Sequence, residues 1–350
     1  MRPLSCAKKI YYLIPEPIRR KRHDITNWFN NLYWIIANGF YDICQYAKFS
    51  SSLNLNMTQA QQSARLTYYY HKIEKAMALP KPRAGFGKEW IVAEFIPLLN
   101  KYYLTYGNDN IVACCCINLN EYILFNKRNN SSLNEIHSLI IKTLENIEKP
   151  ATTDIGGIKE IIASEIKRPN AFDFKQFINN RHSIRNFTSK CVDRELIEDA
   201  IQMAQRTPSV CNRQPWHVYA LDNKMEIIEA LKHQNGNAGF SENIQVLLII
   251  AGDLSAMMNP PERHEIWVDG GMFSMSLVYS LHSMGLGTCC LNLCKNYNHE
   301  INLKRDLRIS PDHSPVMMIA VGHIPDKLYV AQSQRKLLKE ILTWNTSNII

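Results

Sequence analysis

Apolar residues recur at helical spacing along the first part of the chain. Their spacing of three and four residues predicts helices near 58–79, 88–106, 109–127, 132–148 and 155–166. Proline and glycine separate these segments, as at Pro80, Gly107 and Pro150. The pattern therefore predicts an all-helical domain over residues 58–168, preceded by an N-terminal arm of residues 1–57.

Beyond Arg168-Pro169-Asn170 the pattern changes, because short β-rich runs now alternate with helical ones. Strands are predicted at 216–221, 246–251, 286–291 and 316–321. Helices are predicted at 193–206, 223–234, 263–284 and 297–307. Residues 171–345 are therefore expected to form an α+β domain.

The strongest apolar run, from Val246 to Ala251, is much shorter than the roughly 20 residues that span a bilayer, and it indicates a buried strand. The first residues are broken by Pro15 and Pro17 and lack the apolar core of a secretory signal. We therefore expect a cytoplasmic protein.

Ten cysteines raise the question of a metal site or disulfides. They cluster as Cys114-Cys115-Cys116, Cys289-Cys290 and Cys294, without a paired CxxC element, and vicinal cysteines make poor disulfide partners. The pair His264-Glu265 begins like a metalloprotease helix, but Val268 stands where the second histidine should be. No metal site is predicted, and the cysteines are expected to be reduced.

The positive charge of the chain is concentrated in the arm. The net charge is +8, and residues 1–48 hold eight Lys or Arg against three acidic residues. The run Arg19-Arg20-Lys21-Arg22 precedes aromatic residues between Trp28 and Tyr41, as in helices that lie on anionic membranes. The favoured alternative is a helix docked on its own protein or a partner subunit, since aromatic stripes are more often core. No nucleic-acid recognition motif accompanies the charge.

Two polar stretches of the α+β domain carry candidate chemistry. In Arg181-His182-Ser183-Ile184-Arg185, two guanidinium groups and a hydroxyl can bind one anionic group such as a phosphate. The stretch Pro208-Ser209-Val210-Cys211-Asn212-Arg213-Gln214-Pro215-Trp216 is rich in amides that both donate and accept hydrogen bonds, and it leads into a strand.

These two stretches resemble the R-[RH]-S-x-[RK] and P-S-x-x-N-x-Q-P-W elements of the nitroreductase family, at the family's spacing. Two later stretches are also similar. One runs from Asp269-Gly270-Gly271-Met272 to Gly285-Leu286-Gly287 and a strand, and the other from Val321-Gly322-His323 to Ser333-Gln334-Arg335-Lys336. The resemblance implies a three-layer α/β/α domain with a mainly antiparallel sheet, and an FMN cofactor.

Carried over residue by residue, the resemblance implies that Arg181, Ser183 and Arg335 bind the FMN phosphate, with His182 beside the ribityl chain. Arg185 would lie near the flavin pyrimidine edge, where a cation stabilises the charge of the reduced ring.

The resemblance also implies that the partner subunit of a homodimer contributes to each flavin site, through Pro208, Ser209, Asn212 and Gln214. Backbone groups near Cys290, Leu291 and Asn292 would face the flavin ring. A further amide is assigned to Asn237, with Asn235 and Asn243 as competing candidates.

Two departures from the family pattern bear on the site. Val210 replaces a serine that often follows the first serine of the amide stretch, and only the short segment from Gly252 to Arg263 separates a strand from the long helix. Whatever covers the flavin is therefore expected to come from the N-terminal domain.

That domain resembles an extension found on a bacterial subset of nitroreductase-like proteins, some linked to surface polysaccharide gene clusters. Its residues His71, Glu74, Lys75 and Arg83 either line a substrate pocket above the flavin or are neighbours on a solvated helix face.

The resemblance implies an FMN-dependent oxidoreductase that takes hydride from NADH or NADPH and reduces a small nitro, quinone-like or related substrate in a ping-pong cycle. Two alternatives remain open. One is an FMN-dependent dehydrogenase or reductive tailoring enzyme of a biosynthetic pathway, including surface polysaccharide synthesis. The other is a non-catalytic binding protein of the same fold, located at the membrane surface through residues 1–48.

Overall fold

The computed structural model describes residues 16–53, 56–79, 82–129, 134–148, 156–158, 172–331 and 335–344. The helix predicted at 155–166 lies largely outside these ranges.

The helical part of the chain follows the apolar periodicity closely. Its helices are α1 (Glu16–Phe49), α2 (Gln59–Met77), α3 (Ile96–Tyr106), α4 (Asn110–Arg128) and α5 (Asn134–Glu145). A short helical turn at Lys88–Trp90 and a π-helical turn at Ile91–Phe95 lead into α3. Thr58 begins α2 with a capping box to Gln61, and the Asp109 side chain caps α4 by accepting the Val112 N–H.

Helices α2 to α5 enclose a core of their own. Leu66 and Ile73 of α2 pack against Leu99 of α3 and Leu119 of α4, and all four are fully buried. Since an amphipathic helix is stable only when its apolar face is covered, these contacts explain why four successive helices are stable together. The predicted all-helical character of this region is confirmed.

The α+β part is built around a four-stranded sheet. Its strands are β1 (Trp216–Leu221), β2 (Val246–Asp253), β3 (Leu286–Asn292) and β4 (His313–His323), in the order β1-β2-β4-β3. Every neighbouring pair is antiparallel. All four strands were predicted, but β4 begins earlier than the predicted 316–321, because pairing with β2 extends to its start at His313.

Helices cover both faces of the sheet, and β2 contributes to both cores. Leu247 and Ile249 point towards α8 (Lys224–Leu231) and α10 (Tyr297–Asp306). Leu248 and Ile250 point towards α7 (Arg194–Ala204) and α9 (Glu265–Ser283). A strand buried on both faces is apolar throughout, as the run of β2 shows. The predicted three-layer α/β/α arrangement with an antiparallel sheet is confirmed.

Within the described residues of the arm, one long helix, α1, docks on the α+β part through one face. The Asn38 amide donates to Asn296 Oδ1 at 3.2 Å and accepts the Tyr297 N–H at 2.9 Å. The rings of Tyr41 and Tyr297 stack with centroids 5.4 Å apart. This face supports the interpretation of a docked helix. Among the described helices, none has the length and apolar character needed to cross a bilayer.

The segment that follows α6 (Phe174–Asn180) is held to the sheet by close packing on glycine. A Cβ at Gly322 in β4 would lie 2.8 Å from the Phe187 ring. Gly322→Ala is therefore expected to cost about 2 kcal/mol of unfolding free energy, because buried aromatic and backbone atoms must shift. Urea denaturation measures the cost. Gly39→Ala in α1 is the control, since no heavy atom lies within 4 Å of its Cβ position. An equal loss in both variants would contradict this explanation.

Candidate functional site

A cavity of about 560 Å³ lies where α6, α9, β3 and the C-terminal segment meet. It brings together four residues that the motifs selected separately. They are Arg181, His182, Cys290 and Arg335. The remaining wall includes Met275 and Tyr279 of α9. Two guanidinium groups from residues more than 150 positions apart in the chain therefore share one cavity.

The short segment after α6 is fixed beside β3 by its backbone and by alternate side chains. Ser183 forms a parallel bridge with Thr288, and the Ile184 N–H donates to the Thr288 carbonyl at 2.8 Å. Ile184 and Phe187 are buried in the core. Because these apolar side chains point inward, the polar side chains between them remain at the surface. Arg181 is the residue that ends α6.

The two arginines of this segment act on opposite faces of β3. Burial raises the pKa of the Cys290 thiol, and the positive charge of Arg181 opposes that shift. Burial likewise raises the pKa of Cys289, where Arg185 has the opposing effect. Since neighbouring side chains of a strand point to opposite faces, Arg181 and Arg185 diverge. Neither Arg185 nor Ser183 is among the residues that line the cavity.

Strand β3 offers backbone groups to a ligand, because it is the last strand of the sheet. Among the described residues, its outer edge is paired with backbone near Thr288, through Ser183 and Ile184, and its Asn292 carbonyl accepts the Gln234 side-chain amide. The predicted backbone contacts at Cys290, Leu291 and Asn292 lie on this strand. Unpaired edge groups readily bond another chain or a ligand. The Leu291 side chain itself is buried in the core.

The amide stretch forms a strained turn. Cys211, Asn212 and Gln214 have φ values of 49°, 52° and 50°, in the left-handed region that residues other than glycine seldom adopt. Inside the turn, the Ser209 hydroxyl accepts the Gln214 N–H at 2.9 Å. Pro208, Asn212 and Gln214 are exposed, and none of the four predicted amide-stretch residues lines the cavity. The single chain thus presents two separate groups of candidate residues.

Arg213 holds this turn in place, and its side chain has no solvent exposure. Its guanidinium donates to the Val210 and Ala256 carbonyls at 3.2 and 2.6 Å, and forms a two-pronged pair with Glu262 at 2.9 and 3.0 Å. Sequence reasoning missed both charged residues. The arginine between Asn212 and Gln214 was the available signal.

Asp269 supports the same turn from α9. Its Oδ2 accepts the Val210 N–H at 3.1 Å, while its Oδ1 is buried without a hydrogen-bond partner among the described residues. Burial, reinforced by Glu265, raises the pKa of this carboxyl to about 6. Sequence reasoning treated the Asp269-Gly270-Gly271 run only as part of a helix, so this role was also missed.

The three competing asparagines do not reach the cavity lining. Asn237 spends its amide inside its own turn, donating to the Leu231 carbonyl at 2.9 Å and accepting the Ser241 hydroxyl at 2.9 Å. The Asn235 side chain accepts from Lys295. A neighbour that the sequence did not suggest, Gln234, instead donates to the Asn292 carbonyl at the end of β3, at 3.2 Å.

Helix α2 lies directly on the strained turn. Ala64 packs with Ala256, Ile266 and Val210. Further along α2, Lys75 is exposed. Burial raises the pKa of the Cys211 thiol, and the positive charge of Lys75 opposes that shift. These contacts place α2 beside the amide turn, and coverage of the flavin by the N-terminal domain stays a prediction.

Of the other predicted substrate residues, His71 and Glu74 form a pair. His71 Nδ1 lies 3.4 Å from a Glu74 carboxylate oxygen, and the other oxygen accepts the Asn118 amide at 3.0 Å. Glu74 is therefore anchored to α4. Arg83 is exposed in the loop before Phe86 and is not among the residues that line the cavity.

Comparison with known proteins agrees with this architecture. Residues 178–238 and 228–323 match the model of the nitroreductase family. A protein of Methanothermobacter thermautotrophicus described as an NADH dehydrogenase/NAD(P)H nitroreductase is 25% identical over 152 residues, which are 43% of this chain and 77% of that protein. A 4-nitrobenzoate reductase of Pseudomonas putida is 29% identical over 112 residues, or 32% of this chain and 44% of that enzyme.

Among solved structures, an FMN-dependent nitroreductase from Clostridium difficile R20291 superposes with a TM-score of 0.41 at 20% identity. The superposition covers 49% of this chain and 98% of that one.

The fold is an α+β domain in which Arg181 and Arg335 line one cavity. Residues 178–323 belong to the nitroreductase family. The predicted family and the predicted enzyme class, an oxidoreductase, are thereby confirmed.

The pKa of Asp269 predicts how stability depends on pH. The folded chain holds this proton with a pKa of about 6, against 3.8 for an ordinary aspartate, so ionisation weakens the fold as pH rises between these values. Relative to Asp269→Asn, the wild type is expected to lose about 2 kcal/mol of unfolding free energy between pH 4 and about pH 7.

Urea denaturation at several pH values measures this difference. Asp199→Asn, an exposed position on α7, is the control and should follow the wild type. Parallel stability curves for wild type and Asp269→Asn would show that the carboxyl has an ordinary pKa.

Proposed function

We propose that this protein is an FMN-dependent oxidoreductase that uses NADH or NADPH to reduce a small organic substrate. The observation that carries the proposal is the cavity in which Arg181 and Arg335 meet beside the outer edge of β3. A terminal phosphate and a planar ring with polar edges require these two kinds of partner, namely cationic forks and backbone hydrogen-bonding groups.

The residues present fit FMN in size and chemistry. The cavity volume of about 560 Å³ lies within the range of small-molecule sites. Arg181 and Arg335 would hold the phosphate, with Ser183 nearby on the same segment and His182 beside the ribityl chain. Cys290 lies next to Arg181 and would mark the start of the ring site.

When bound, FMN would supply the redox chemistry, taking hydride from the nicotinamide and passing electrons to the substrate in a ping-pong cycle. The chain itself would bind and orient. Backbone groups from Cys290 to Asn292 would hold the polar edge of the ring. The proposed part of Arg185 is to tune the potential by its charge, although it does not line the cavity of the single chain.

We further propose a homodimer in which each cavity is completed by the amide turn of the other copy. Ser209, Asn212 and Gln214 lie outside the cavity of their own chain. The outer face of α9 exposes Trp267, Val268 and Met272, whose apolar surface suits a symmetric contact between two copies.

Helix α2 would then line the substrate side of the partner's flavin, because it packs on the turn that reaches across. Lys75 is exposed beside that turn, and its charge would favour an anionic substrate. On the same helix, His71 lies one turn before Lys75, and Glu74 immediately precedes it. Since the chain is similar to a 4-nitrobenzoate reductase, 4-nitrobenzoate is a suitable anionic probe.

The purified protein is expected to carry flavin, and NADH or NADPH should remove the visible absorbance of this flavin under anaerobic conditions. Arg181→Ala/Arg335→Ala should bind FMN about a hundredfold more weakly, because two charge-assisted contacts to the phosphate are lost. Absorbance and fluorescence titration measure binding. Arg194→Ala/Arg206→Ala, at exposed positions on or just after α7, is the matched control. A wild type that binds no added FMN would sink the proposal.

Mixed dimers test the shared site. A variant with Ser209, Asn212 and Gln214 changed to Ala is combined with Arg181→Ala/Arg335→Ala after each has been shown to be inactive. Random reassortment should restore about a quarter of the wild-type activity, since half of the dimers are mixed and each has one intact site. No recovery in verified mixed dimers would place both groups of residues in one chain's site.

Lys75→Gln is expected to raise the KM for 4-nitrobenzoate about fivefold and to leave the KM for nitrobenzene unchanged, because only the first substrate is an anion. Steady-state kinetics with both compounds check this. Lys101→Gln, at an exposed position on α3, serves as the control. Equal effects on the neutral and the charged substrate would remove Lys75 from the substrate side of the site.

A further inference from the structure

Helix α1 has two apolar faces, and only one of them is covered in the described chain. Successive residues of a helix are about 100° apart, so Trp34, Asn38 and Tyr41 lie together on the face that docks on Tyr297. Roughly opposite lies a second stripe of large apolar side chains, each more than half exposed. They are Ile25, Trp28, Phe29, Ile36, Phe40 and Ile43.

This exposed stripe is too long to be incidental. Scattered apolar side chains are normal on a protein surface, but contiguous apolar patches mark interaction sites. The stripe extends over five turns of a 34-residue helix and is rich in aromatic rings. It needs a partner that offers a long apolar surface.

The charge of α1 indicates which partner. The first turns of the helix hold Arg19, Arg20, Lys21 and Arg22, whereas its acidic residues are only Glu16, Asp24 and Asp42. Basic residues beside exposed aromatic and aliphatic side chains are typical of helices that lie at the surface of an anionic bilayer. Each basic residue near such a surface strengthens binding about fivefold.

We propose that the exposed face of α1 binds the surface of a bilayer containing anionic phospholipids. The apolar stripe enters the boundary between headgroups and acyl chains, and the positive charge of the run from Arg19 to Arg22 attracts the helix to the anionic surface. The opposite face stays on α10 and so holds the oxidoreductase domain against the membrane. The interaction does not depend on flavin binding.

A second copy of the chain fits this face less well. Two α1 helices paired in parallel would bring their Arg19–Arg22 runs together. An antiparallel pair would move each run towards the end that carries Lys48. In neither arrangement does the helix supply enough acidic residues to balance the basic run, and like charges at close range destabilise a contact.

Sedimentation with vesicles tests the proposal on the full-length protein. The wild type is expected to bind vesicles of phosphatidylcholine mixed with phosphatidylglycerol, more weakly at high salt, and to bind phosphatidylcholine alone poorly. Trp28→Ser/Ile36→Ser and the fourfold change of Arg19, Arg20, Lys21 and Arg22 to Gln should each lower the partition coefficient about tenfold or more. Leu104→Ser/Met225→Ser, which changes two exposed apolar residues outside α1, should bind like the wild type.

Light scattering and circular dichroism on the same proteins give the remaining readouts. Helix content is expected to be unchanged in every variant, since the altered side chains are exposed. Wild type that stays in the supernatant with anionic vesicles overturns the proposal, as does binding that neither α1 variant weakens. A fall in particle mass for Trp28→Ser/Ile36→Ser, with vesicle binding unchanged, would instead assign the face to a second copy.

Discussion

The burial of the Arg213 guanidinium determines the shape of the amide turn. This group has no solvent contact and binds the amide turn, the Ala256 carbonyl and Glu262 at once. A buried cation is costly unless every donor is paired, so the turn cannot relax without leaving charges unpartnered. That constraint keeps Cys211, Asn212 and Gln214 in left-handed backbone conformations that they would not adopt alone. The exposed amides on either side of Arg213 are positioned by a residue whose own side chain is buried.

The elements of the fold could be predicted from the sequence because each has a strong local signal. Apolar periodicity indicated the helices, and the uninterrupted run of β2 indicated a strand buried on both faces. The early start of β4 could not be predicted in this way, since it depends on pairing with the end of β2, 60 residues earlier. Contacts between distant strands leave little trace in local composition.

The candidate site could be predicted in part. The motifs selected Arg181 and Arg335, which the fold brings to one cavity across more than 150 residues. The residues that support the site escaped notice. Asp269 was treated only as part of a helical stretch and Gln234 belongs to no motif, and both matter through what they contact. Asn237 shows the opposite case. Its amide looked available in the sequence, but its own turn uses both ends of the group.

The packing of α2 on the amide turn joins the two parts of this chain, so they are not independent domains. Residues 58–168 and 171–345 differ in their sequence patterns, and each part has its own core. Yet Ala64 closes a small core with Ala256 and Ile266 across the divide. A chain cut at residue 171 would expose that patch and free the turn from its support. The two halves thus differ in composition, but each contributes to the folding stability of the other through this shared core. The helical extension therefore supports the catalytic half.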